Sequence, residues 1–103
     1  MSKATTKIRP YDSARYLDTP EAIAAYLTEA LETEDSSFIA SALGTVARAK
    51  GMAAVARKAG LSRENLYRSL GGQTKPELDT VIRVLGAVGL TLSASPKPRS
   101  KLG

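Results

Sequence analysis

Between Ile23 and Val88 the chain repeats one device: apolar residues at three- and four-residue spacing, opened by a short capping side chain or closed by a glycine. A pattern of that period buries one stripe of a helix and leaves the other side to water. Ile23, Leu27, Ala30 and Leu31 make the first stripe, behind Thr19-Pro20, which reads as an N-cap followed by proline at the first helical position. Glu21, Glu29 and Glu32 fall on the opposite side, so residues 20–34 are predicted as an amphipathic helix with an acidic outer face. Asp35-Ser36 caps a second helix, in which Ile39, Leu43, Val46 and Ala47 point inward, Ser41, Thr45 and Arg48 point away, and Gly51 is the stop. Met52 to Ala59 is a short helix ended by Gly60. Ser62 then caps residues 63–70, with Leu66 and Leu70 on the buried side. After the loop Gly71 to Pro76, the residues Leu78, Val81, Ile82, Leu85 and Val88 give the cleanest stripe, stopped by Gly89.

The last patterned stretch is different. "LTLSAS", Leu90 to Ser95, alternates, carries the β-branched Thr91 and runs into Pro96, which predicts one short strand. The expected fold is therefore all-α, a five-helix bundle with a single C-terminal β-strand. An arm over residues 1–18 precedes a single domain over residues 19–95, and residues 96–103 form a disordered basic tail. A lone strand leaves backbone groups unsatisfied, so it must pair, and a two-fold copy of the chain is the simplest partner. The alternative is a short extended segment lying on the bundle.

A chain of 103 residues suits one small domain. It has no cysteine, which excludes disulfides and thiolate metal sites, and no histidine, which removes the commonest general base and metal ligand. Its first residues hold no apolar segment of the kind a signal peptide needs, and no run approaches the ~20 apolar residues that span a bilayer. A cytoplasmic protein with no membrane partner is expected. The net charge of +5 conceals an asymmetry: residues 16–35 sum to −6 and residues 36–70 to +5. Adjacent blocks of opposite sign suggest two partners of opposite charge, although either block alone also suits a solvated face.

The stretch "AAVARKAGLSRENLYRSL", Ala53 to Leu70, lies in the basic block. Two helices meeting at a steep angle need a small residue at the contact, a residue tolerant of positive φ at the bend, and apolar anchors on either side. Ala56, Gly60, Leu61 and Leu66 supply these, with Val55 and Ala59 completing the inner face. The pattern is that of a helix-turn-helix over residues 52–70, whose second helix enters a major groove. Arg63 and Arg68 suit guanine O6 and N7, Glu64 suits cytosine N4, and Asn65 or Ser62 both donate and accept. Tyr67 reaches a phosphate or a thymine methyl, and Lys75 sits in a loop fit to hold the DNA backbone. Double-stranded operator DNA is the expected partner.

These residues carry a resemblance. Met52 to Leu90 is similar to the XRE/Cro/C1-type helix-turn-helix family, through Val55-Ala56, Gly60-Leu61-Ser62-Arg63 and the downstream "KPELDTVIRVLGAVGL". More narrowly, residues 11–95 resemble the probable addiction-module antidote proteins of bacteria. The shared stretches are Tyr11-Asp12 through Leu31, "VARAKGM" and "GLSRENLY". The resemblance implies a lambda-repressor-like fold and an antitoxin that binds a small basic RelE/ParE-like toxin and, as a homodimer, represses its own operon. It implies that Arg63, Glu64 and Arg68 face bases, with Ser62, Tyr67 and Lys75 nearer the DNA backbone. The acidic residues Glu21, Glu29 and Glu32 offer a counter-charge to such a toxin. One position departs from the family pattern: Ser69 stands where many members are apolar, and Leu70 is expected to take over its packing.

Two other functions would use these residues differently. A free-standing repressor of the same type would use the DNA surface without a toxin, the acidic helix being a packing extension. An enzyme would need Ser/Lys, paired carboxylates or a cofactor loop. The cluster Glu29, Glu32, Glu34 and Asp35 lies on a helix rim in water rather than in a cleft, and Gly71-Gly72 forms no phosphate loop. No catalysis and no cofactor are expected. Phe38 and Tyr26 are assigned to core or interface, and Tyr11 and Tyr16 to clamping the arm.

Overall fold

The computed structural model describes residues 17–97. Five α-helices follow in order: α1 (Pro20–Glu32), α2 (Ser36–Lys50), α3 (Met52–Ala59), α4 (Arg63–Ser69) and α5 (Leu78–Ala87). The helices begin where the caps predict. Thr19 Oγ1 accepts from the Ala22 N–H at 3.1 Å with Pro20 behind it, and one Asp35 carboxylate oxygen accepts from Ser37 and Phe38 at 3.0 and 3.2 Å. Each bond satisfies a backbone donor that a helix start otherwise leaves open. Between these two helices the chain reverses through Glu34, at φ 59°. α1 and α4 each end slightly before the predicted limits of 34 and 70.

α3 lies at the centre of the bundle, packing against α2, α4 and α5, while α1 packs on α2 and adds Ile23, Leu27 and Ala30 to the same core. Ile23 from α1, Leu43 and Val46 from α2, Leu66 from α4 and Val84 from α5 are the largest side chains sealed from water. Much of the remaining core is alanine: Ala30, Ala40, Ala42, Ala47, Ala56 and Ala59 are all buried. Small residues bring helix axes close and make the fit sensitive to added volume. Leu70 joins this core, as the departure at Ser69 required, and Leu17 does too.

Two expectations are corrected. Residues 90–95 form no strand, and no strand occurs among the described residues. The Leu90 N–H turns back to the Leu85 carbonyl at 2.8 Å, closing α5 through Gly89. Leu90 and Leu92 then line one groove with Leu27 and Leu31 of α1, and no strand pairs with them among the described residues. This is the alternative of a segment lying on the bundle, settled by apolar contact rather than by a ladder. The second correction concerns α5. Its buried face is Thr80, Val84, Leu85 and Val88, whereas Leu78 and Ile82 are 64% and 49% exposed. Leu31 in α1 is also partly exposed. α5 is apolar on two opposite sides, so periodicity alone does not choose which side the core takes. Residues 1–16 and 98–103, with most of the predicted arm and tail and with Tyr11 and Tyr16, lie outside the described residues.

One contact sets how α2 meets the end of α4. A Cβ placed on Gly44, in the middle of α2, would stand 2.9 Å from the Leu70 backbone carbonyl oxygen. Glycine in a helix interior costs about 1 kcal/mol relative to alanine, so at this position close approach outweighs propensity. Gly44→Ala is expected to destabilise the protein, because overpacking against backbone costs about 1–3 kcal/mol and exceeds the gain in helix propensity. Urea unfolding checks this: the midpoint falls at unchanged slope.

Candidate nucleic-acid interface

The junction between α3 and α4 is built from three local hydrogen bonds and one from a distant helix. Gly60 adopts the left-handed conformation, φ 74° and ψ 32°, which only glycine enters without steric penalty. Its N–H and that of Leu61 return to the last carbonyls of α3, Arg57 at 3.2 Å and Ala56 at 2.9 Å, so the helix is closed as the chain bends. Ser62 then restarts the helix, its Oγ accepting from the Asn65 N–H at 3.0 Å. From outside the junction, Arg83 Nη1 on α5 donates to the Ala59 carbonyl at 3.1 Å while its Nε holds Asp79 at 2.8 Å. Leu66 is completely buried and fixes the rotation of α4.

With Leu66 inward, the rest of α4 turns out. Arg63, Glu64, Asn65, Tyr67 and Arg68 are exposed, and so is Ser62. Arg63 places its guanidinium 5.9 Å from the centre of the Tyr67 ring, within cation–π range. Arg68 donates to Asn65 Oδ1 one turn back, which orients both groups. Among the described residues neither Arg63 nor Arg68 has a carboxylate partner. Asn65, Arg68 and Lys75 line one open groove with Thr74, between α4 and the loop leading to α5. Glu77 and Asp79 also line it, so the groove carries charges of both signs. All seven predicted DNA-contacting residues are thus exposed, and the structure brings three of them, Asn65, Arg68 and Lys75, to one groove. Chemically the surface offers two guanidinium forks, an amide, a phenol, a lysine and one carboxylate. That set can donate to phosphate oxygens and read base edges.

The acidic residues Glu21, Glu29 and Glu32 are exposed along α1. Beside Glu29, the residues Tyr26, Ala30, Thr33, Phe38 and Ala42 line a shallow groove between α1 and α2. Phe38 is 53% exposed there, so of the two roles assigned to it the core role fails. Lys97 pairs with Glu34 at 3.0 Å, a contact between two exposed groups that adds little. Sequence reasoning missed Arg83. Its spacing to Asp79 was visible, but the bond to Ala59 depends on how α5 crosses α3. Among the described residues no group of histidine, cysteine or carboxylate side chains could hold a metal ion, and no helix is long and apolar enough to cross a membrane.

Comparison with known proteins places the chain. The sequence model of a family described as probable addiction module antidote protein matches residues 7–96. An uncharacterized protein of Haemophilus influenzae (strain Rd) is 42% identical over 86 residues, covering 84% of this chain and 89% of the relative. No solved structure matches. With nearly the whole described structure inside the matched region, the chain belongs to the family of probable addiction module antidote proteins.

Proposed function

We propose that this chain is a DNA-binding antitoxin, a cytoplasmic homodimer that represses its own operon and neutralises a small basic RelE/ParE-like toxin by binding it. In this reading α3 and α4 are an XRE-type helix-turn-helix and α4 is the groove-reading helix. The observation that carries it is the left-handed bend at Gly60, which turns the polar face of α4 outward in the most basic stretch of the chain. Arg63, Glu64 and Arg68 then face bases. Ser62 spends its oxygen on the cap and offers its hydroxyl proton to a phosphate, with Tyr67 and Lys75 beside it. Asn65 gives its Oδ1 to Arg68 and keeps its amide protons for an acceptor on the DNA.

The toxin surface is assigned to the acidic side of α1. An antidote family implies a toxin partner. Glu21, Glu29 and Glu32 supply a field that steers a cationic partner, and the neighbouring Phe38 groove supplies apolar area at the same site. Membership in the antidote family favours this over a repressor acting alone.

Two experiments test the two surfaces separately. Replacing Arg63 and Arg68 together with alanine abolishes the footprint on the operon's promoter, at a cost of about 1–3 kcal/mol for each lost base contact, and leaves toxin binding intact. A normal footprint from the double variant overturns the assignment of α4. Replacing Glu21, Glu29 and Glu32 with lysine slows toxin association on the order of tenfold at low salt and leaves promoter binding unchanged. Stopped-flow association rates at two ionic strengths read the effect, and an unchanged rate removes α1 from the toxin surface.

A further inference from the structure

α5 is built like an internal helix yet has one face in water. On its inner side Thr80, Val84 and Val88 recur at four-residue steps and are buried. On the opposite side Leu78, Ile82 and Gly86 recur at the same step and are exposed. The only charged side chains on the helix, Asp79 and Arg83, bond to each other along one flank of that outer stripe. A helix apolar on both sides belongs between two layers, and this chain supplies one.

We propose that a second copy of the chain supplies the other, packing α5 against α5 in antiparallel fashion about a two-fold axis at Ile82. The side chains favour this occupant because the stripe is complementary to itself. Leu78 and Gly86 lie one turn on either side of Ile82, about 6 Å away along the axis. Reversing one helix therefore sets each Leu78 over the second copy's Gly86. That position has room for it: a Cβ added to Gly86 meets nothing within 4 Å. The flanks agree as well. The two Asp79–Arg83 pairs come to lie side by side in opposite directions, the attractive arrangement of two dipoles. An isologous contact of this kind closes at two copies and leaves no free stripe to grow from.

The inference rests on the homodimer in the functional reading and names its surface. Size-exclusion chromatography with light scattering on the full-length chain tests it, using Ile82→Glu and Gly86→Leu. The wild type is expected to be a dimer, and each variant a monomer at the same concentration, its dimer dissociation constant raised more than about tenfold. Gly86→Leu separates the interface from the fold, since it removes an exposed helix glycine and should hold or raise the melting temperature of the monomer. Arg63→Ala/Arg68→Ala, measured alongside, is expected to stay dimeric. A wild type that is monomeric overturns both the dimer and this surface. Variants that stay dimeric overturn the surface alone, and so does a dimeric Ile82→Glu that no longer binds toxin, which would assign the stripe to the toxin instead. A dimeric wild type that fails to bind promoter DNA overturns the DNA reading and leaves this interface standing.

Discussion

Most of what this chain presents to solvent depends on a few atoms around Gly60. The left-handed backbone there lets α3 end and α4 begin within three residues, and the carbonyls freed at the end of α3 are answered at once. Two of those partners are local N–H groups, and the third comes from Arg83, on a helix more than twenty residues later. That third bond makes the bend a tertiary feature. Gly60 sets the turn, Arg83 ties it to α5, and Leu66 anchors the rotation of α4 in the core. Their combination determines which five residues of a seven-residue helix are exposed to water. A β-carbon at Gly60 would strain the left-handed backbone and stand 3.1 Å from Arg83 Nη1, so the guanidinium that braces the bend would have to shift by a few tenths of an ångström.

Charge is arranged with the same economy. The acid residues are concentrated on α1 and its junction with α2, and the cations run from the last turn of α2, at Arg48 and Lys50, through α4. At physiological ionic strength exposed charges more than ~8 Å apart are largely screened from one another. The two surfaces are thereby able to act on different partners without cancelling. Little of this charge is spent on intramolecular pairs; among the described residues the ion pairs are Asp79–Arg83 and Glu34–Lys97. Stability comes instead from close-packed small residues and helix caps.

The helices were legible because their boundaries are written in local chemistry. Thr19, Asp35 and Ser62 cap through their own side chains, and Gly51 and Gly60 stop helices through their own backbones, all within four residues of the groups they satisfy. The outward face of α4 was readable for the same reason: with Leu66 and Leu70 inward, the remaining positions have one direction left. α5 defeated this logic. Its predicted stripe runs from Leu78 and Ile82, which are exposed, to Leu85 and Val88, which are buried, and only the position of α3 decides how far round the helix the core reaches. The strand at 90–95 failed differently. Alternation at Leu90 and Leu92 reports one covered side, and a bundle surface covers it as well as a neighbouring strand does.

The close approach of α2 to the end of α4 reaches further than stability. Three residues before Gly44, Ser41 stands where a Cβ on Gly72 would come within 2.7 Å of its hydroxyl. Two adjacent turns of α2 thus grip both ends of the Leu70–Gly72 corner, and the chain leaves that corner with only two residues before Lys75. A bulkier side chain at Ser41 would relocate a cation it never meets, so positions 41, 44 and 72 are free to vary only as a set.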